Sequence, residues 1–314
     1  MKKHLPLIAL ILFFVSINIK AQNTYEFLRL DMSARAGALG GSFVSNNDDP
    51  DVIFYNPAGL QLLTDNPVSF SFVKHLLDIN LASISYSTEF NDMGRFGLAA
   101  KYINYGTFKG ADENGRLTNE FGAGEAAFIL GYANRLDENF YYGANVKFIY
   151  SGIENYSSSA VGFDVGLHYA VPSQQINVGF AILNVGTQLS SYFNTKEDLP
   201  LDFVLGISKR LEYLPLRLSL DFHKLNEDRD DFLQKFKAFT VGAEFTLSKT
   251  LRLRFGYDNE KRNELKIGSF AGIAGFNAGL GAVISDYRFD YGFSSMGAIG
   301  ELHRISISTT LWKV

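Results

Sequence analysis

The sequence predicts an all-β membrane protein: a 14-stranded antiparallel transmembrane β-barrel with an N-terminal hatch segment folded inside it. Three observations predict this. Segments of about 8–12 residues, apolar on one parity and polar on the other, repeat from Pro67 to the C-terminus, the length a tilted strand needs to cross a bilayer. Short and long connections alternate between them. The stretch from Ala34 to Leu60 breaks the pattern: it is dense in Gly, Asn and Asp, carries Pro50 and Pro57, and shows no period of two.

The chain divides into a signal peptide (1–21), a hatch segment (22–66) and a barrel (67–314). Met1-Lys2-Lys3-His4 is a basic start, Leu5 to Ile17 a short apolar core, and Ala21 a small residue before Gln22. That is the pattern of a cleaved secretory signal, too short for a membrane anchor. No second long apolar run exists, so no transmembrane helix is expected. Net charge is −4, or about −7 once Lys2, Lys3 and Lys20 are removed. Without a basic run, nucleic acid is not an expected partner. The absence of cysteine excludes disulfides, thiolate catalysis and cysteine-bound metal. A mean hydropathy of zero fits strands that hide their apolar residues by alternation. The 29 glycines and 44 Phe and Tyr residues read as tight turns and lipid-facing rings.

The clearest strand is Ser159 to Tyr169, with Val161, Phe163, Val165, Leu167 and Tyr169 on one face and Gly162, Asp164, Gly166 and His168 on the other. Asn139 to Tyr150, Pro215 to His223 and Leu251 to Asp258 alternate as cleanly. Fourteen segments begin near Pro67, Ile79, Gly94, Gly122, Asn139, Ser159, Gln175, Pro200, Pro215, Lys237, Leu251, Gly275, Asp286 and Leu302. The first two are ragged, because Ala82, Ser83 and Ser85 blur the faces. The even connections are short. The odd ones include Tyr105 to Phe121, Gly186 to Leu199, Leu225 to Phe236 and Asn259 to Ala274. Short turns face the periplasm in bacterial barrels, so an outer-membrane location with both termini periplasmic is expected.

Lipid offers no partner to an open strand edge, so the sheet must close. The lumen then receives Asp164, His168, Arg217, Asp221, His223, Glu244, Arg252 and Arg254, with Arg288 and Asp290. Such charges need water or one another. A 14-stranded barrel is too wide for its own side chains to fill, and the segment before Pro67 is the material available as a plug.

Within that segment, Asn56-Pro57 is a sound helix start, with Asn as cap and Pro at the first helical position. It follows an extended Val52 to Tyr55, and the helix is expected to end near Asp65. Arg35 to Gly41 has the wrong glycine spacing for a nucleotide loop, and its small residues suit close packing against the wall. Asn46 to Asp49 lacks the remainder of a calcium loop and reads as a turn. The histidines show no metal spacing, and no local motif marks a Ser-His-acid site. No enzyme activity, metal or cofactor is expected.

Arg35, Gly37, Gly40, Gly41, Asp48, Asp49, Tyr55, Asn56, Pro57 and Gly59 form the hatch motif. With Ala34, Leu39 and Ala58, and with the closing Phe289 to Phe293 and Gly297 to Ser308, the chain resembles the FadL-like outer-membrane superfamily. Within it, the chain is more similar to the PorV/PorQ group of the type IX secretion system, and nearer its PorQ branch. The resemblance implies a non-catalytic secretion component with PorZ, PorU and PorV as partners, anchored in outer-membrane lipid and docking through its longer outer loops. The alternative it implies is a channel for hydrophobic compounds such as long-chain fatty acids, with a detergent- or lipid-like ligand in the barrel and a lateral exit at a strand kink that Gly94 and Gly97 would permit.

Overall fold

A computed structural model describes residues 24–90, 93–193, 195–227, 232–266 and 272–311; the expected signal peptide lies outside them. Fourteen strands, β1 (Pro67–Lys74), β2 (Asn80–Glu89), β3 (Arg95–Ala111), β4 (Leu117–Asp137), β5 (Phe140–Ile153), β6 (Tyr156–Val171), β7 (Ile176–Ser190), β8 (Asp202–Arg210), β9 (Leu216–Phe222), β10 (Phe239–Thr246), β11 (Leu251–Asp258), β12 (Phe276–Ile284), β13 (Tyr287–Ser295) and β14 (Glu301–Thr310), pair antiparallel in chain order. β14 returns to β1, with Pro67 opposite Thr310 and Lys74 opposite His303. Every strand therefore has a hydrogen-bonded neighbour on both sides, which a lipid environment demands of a sheet. No helix among the described residues is long and apolar enough to cross a membrane.

The alternation predicts the faces correctly. Phe70, Leu98, Phe128, Phe148, Phe163, Phe255 and Ile305 lie exposed on the outside, and their polar neighbours Ser71, Lys147, Asp164, Arg254 and Arg304 are buried inside. The serines that blur β2 belong to the same rule, since Ser83, Ser85 and Ser87 all point inward.

The wall is uneven in height. β3 to β7 run for 14 to 21 residues, whereas β8 to β14 run for 7 to 10. This corrects one expectation: Tyr105 to Phe121 is mostly strand, a hairpin rising above its neighbours and turning at Asp112 to Arg116. The long odd connections are those after β7, β9 and β11; the last contains a short helix, Asn259–Glu264.

The N-terminal segment lies within the barrel. It begins with Thr24 N–H donating to Asp198 O in the β7–β8 connection, and it ends at β1 beside the short turns. The described chain therefore enters at the long-connection end, while β14 ends at the short-turn end.

Tyr25, Phe27, Leu28 and Met32 form one apolar cluster with Leu81, Ile103, Ile149 and Leu199 of the wall and its connections. A second joins Leu39, Phe43, Ile53 and Leu60 to Ala99, Ile129 and Ala133 of β3 and β4. Helix α1 (Ala34–Ala38) is capped by the Ser33 side chain, and Gly40 and Gly41 turn the chain after it with φ of 71° and 85°, the left-handed region glycine enters without steric cost. Two 3₁₀ turns follow. Pro50–Phe54 is capped by Asp49, where an extended run was expected: Asp49 accepts from Asp51 N–H and Pro50 supplies a preset φ, which start a turn. Pro57–Leu62 is capped by Asn56 as expected, but stops short of Asp65.

Candidate functional site: the charged latch and the glycine girdle

Ten inward-facing glycines mark where the N-terminal segment meets the wall. They lie on β3 to β8 and on β10 to β13. A Cβ on Gly166 would stand 2.0 Å from Asn56 Oδ1, on Gly179 2.2 Å from Val44 O, and on Gly256 2.3 Å from Gly40 N. Gly143 abuts Pro57 and Ala58, and Gly292 abuts Ala34 O at 2.5 Å. On β1, β2 and β14, which lack a girdle glycine, serine takes its place. Ser306 Oγ accepts from Ala34 N–H at 2.8 Å, while Ser69 and Ser85 donate to Asp51 at 3.2 and 2.7 Å. Ten of the 29 glycines, read from composition as turn residues, are thus wall residues that let the N-terminal segment come close. The available signal was their parity, since Gly162 and Gly166 fall on the polar face of their strand.

The strand does not kink at Gly97, which pairs with Ser87 and Gly131 in unbroken ladders, its missing side chain leaving room for Ile53 and Leu60. Bulges occur elsewhere. In β7 one extra residue faces Asp164, with Asn184 at φ 63°. Asn184 N–H leaves the ladder and is taken by Asp164 Oδ1 at 2.9 Å, and Lys147 Nζ reaches both Asp164 Oδ1 and Asn184 Oδ1 at 2.7 Å.

Arg35 from α1 makes a two-pronged pair with Glu244 of β10, Nε and Nη2 each at 2.8 Å. Glu244 also accepts from Arg254 Nε at 2.7 Å, and Arg254 Nη1 donates to Asp290 at 2.6 Å. Asp290 faces Arg288 Nε at 2.9 Å, in an ion pair without a hydrogen-bond angle. Arg288 then pairs with Asp49, and Asp49 Oδ2 returns to Arg35 Nη1 at 3.3 Å. Three arginines and three carboxylates alternate in a closed ring, two of the six from the N-terminal segment and four from the wall. Asp48 is a spur on it, bound by Arg35 Nη1 at 2.8 Å and by Arg217 at 2.7 and 3.1 Å. Partial burial opposes ionisation of Asp48, but Arg35 and Arg217 hold its carboxyl well below the usual range. Asp51 goes the other way: burial, with the Asp49 carboxylate beside it, pushes it up to about 6.

The remaining expected residues are structural neighbours of this latch. Asn56 caps its turn and also donates to Val44 O and Leu167 O, tying the segment to β6. Tyr55 stacks edge-on against Phe43 at 5.0 Å. Gly37 leaves space for the Arg304 side chain, and Gly59 for Asn46 O. Asp221 accepts from Phe43 and Val44 N–H at 2.6 and 2.8 Å, so it binds the segment's backbone and not a histidine. His168 pairs with Asn177 and His223 approaches Asp202 at 3.8 Å; the structure does not bring either to Asp164 or Asp221 as a hydrogen-bonded pair. Arg252 rests on the Ser248 and Leu251 carbonyls.

Three interior groups went unnoticed in the sequence. Arg304 Nε holds Asp31 O, Lys101 Nζ holds Leu28 O at 3.1 Å, and Arg95 Nη1 holds Asp65 O at 2.6 Å. All three are inward by parity, and parity was the signal. No group of His, Cys, Asp and Glu residues suited to a metal ion exists among the described residues.

A cavity of about 290 Å³ lies at the long-connection end between Asp31, His75, His223, Lys261 and Arg304. At the short-turn end, cavities of about 330, 320 and 430 Å³ meet around Asp48. Charged and polar residues outnumber apolar ones in each lining.

No family model and no curated protein matches the sequence. Solved structures do match the fold over nearly the whole described chain. The toluene transporter TodX of Pseudomonas putida aligns with a TM-score of 0.58 at 13% identity, over 89% of this chain and 96% of that one. A Pseudomonas aeruginosa FadL homologue aligns at 0.59 and 9%, over 90% and 98%. The Ralstonia pickettii toluene transporter TbuX aligns at 0.57 and 12%, over 88% and 98%. The chain has the closed 14-stranded fold of FadL-type outer-membrane channels.

Proposed function

We propose that this chain is an outer-membrane channel of FadL type that admits a hydrophobic compound, with its short turns in the periplasm and its N-terminal segment as the hatch. The observation that carries the reading is the near-complete coverage by structures named for toluene transport and for a FadL homologue. On this reading the ligand enters at the long-connection end, where the hatch itself lines the cavity of about 290 Å³. The test is uptake. Cells lacking the protein should take up toluene or long-chain fatty acids more slowly, and the full-length chain should restore the rate. Equal uptake with and without it would sink the reading.

A second reading is favoured by one observation. The latch and girdle hold the N-terminal segment around the whole circumference, which suits a stationary support better than a moving gate. That support would be the non-catalytic type IX secretion component, with PorZ, PorU and PorV as partners at the outer loops. Co-purification from native outer membranes separates the two. Recovery of surface secretion proteins with unchanged hydrocarbon uptake supports the anchor, and the converse supports the channel.

A further inference from the structure

The short-turn end holds an excess of arginine that the latch does not use. Arg35, Arg210, Arg217, Arg252, Arg254 and Arg288 line the cavity of about 330 Å³, against only Asp48 and Glu244. Asp49 and Asp290 balance two more from behind. The two left over stand at the rim. Arg210 on β8 lies directly opposite Arg217 on β9, both facing inward. Like charges in that relation repel. Arg217 is neutralised by Asp48. Among the described residues the Arg210 side chain meets no carboxylate, and Arg252 meets only the carbonyls of its own turn. Asp48, which closes the cluster from the N-terminal segment, is its open carboxylate, the side chain 43% exposed against 7% for Glu244.

We infer that the rim formed by Arg210, Arg217 and Arg252 binds a soluble oxyanion, a phosphate or carboxylate group, in competition with the Asp48 carboxylate. Guanidinium groups match both anions with paired N–H donors, and an anion supplies the counter-charge that Arg210 lacks beside Arg217. The space is ample: a water takes about 30 Å³, so the cavity admits such a group with several waters. The site lies inside the lumen, away from the lipid-facing wall, which favours a dissolved anion over a lipid headgroup. Because Asp48 belongs to the N-terminal segment, an anion that takes its place on Arg217 removes one tether between that segment and the wall. The inference holds whether the barrel is a channel or a support.

The test is calorimetric titration of inorganic phosphate into the purified full-length protein in a neutral maltoside detergent, at fixed ionic strength set with chloride. Saturable binding is expected. The double variant Arg210→Gln/Arg252→Gln should bind roughly tenfold more weakly or worse, as loss of charge-assisted hydrogen bonds requires. Asp48→Asn should bind several-fold more tightly, because the internal competitor has lost its charge. Heat-modifiable migration on gels checks that each variant has closed its barrel. Absence of phosphate binding, undiminished binding by the double variant, or an unchanged affinity in Asp48→Asn would each overturn the site. So would a response to anionic lipid in nanodiscs, or to an acidic peptide, with none to phosphate.

Discussion

Arg35 decides the most at the scale of single residues. It joins one short helix to Glu244, Asp48 and Asp49 with its guanidinium buried. Removing one partner from a buried charge network leaves the others uncompensated and costs about 3–5 kcal/mol. Arg35→Met should therefore lower the temperature at which the N-terminal segment becomes open to protease, while the barrel itself still resists. Equal protection in the variant and the parent would show that the ring does not hold the segment. Asp51 provides a pH test. Its carboxyl is raised to about 6 in the folded protein, from an ordinary value near 4. An acid raised on folding costs nothing below about pH 4, where both states are protonated. Stability falls as pH rises to about 6, because the unfolded chain releases the proton first. Asp51→Asn should raise the melting temperature at pH 8 and leave it nearly unchanged at pH 4; a gain of equal size at both would refute the assignment.

The girdle and the β7 bulge act at the scale of elements. Gly256 lies against Gly40 N, with room for no side chain. Gly256→Leu cannot be absorbed by a rotamer change, since the obstructing atoms are backbone. Overpacking of this kind costs about 1–3 kcal/mol or more, and here it falls on the contact between segment and wall. The variant is expected to form a closed barrel whose N-terminal segment is cleaved readily, read by proteolysis with mass spectrometry. At the bulge, Asp164→Ala would strand the Lys147 ammonium and the Asn184 N–H together. Lower thermal stability is expected, with little recovery in Asp164→Asn because the charge of Lys147 stays unpaired.

For the whole molecule, the consequence is a barrel closed by its own chain. The intact protein should show little ion conductance in planar bilayers. Deletion of residues 24–65 should produce large, steady openings, because the wall alone is too wide to fill itself. Low conductance after deletion would mean that the strands collapse inward without the segment.

The sequence by itself determined the barrel: the strand number, the faces and the short even turns follow from a period of two and from the need to hide every backbone group from lipid. Phe163 and Asp164 reveal their sides by parity alone, and Asn56-Pro57 reveals a cap by local chemistry. Only the tertiary structure decided who meets whom inside. Arg35 and Glu244 are 209 residues apart, and no periodicity relates them. The same holds for Gly256 and Gly40, where a side chain's absence matters only because another backbone arrives there. Pairing across a lumen depends on strand register and on the path of the enclosed segment, and both are settled by the closing of the whole sheet.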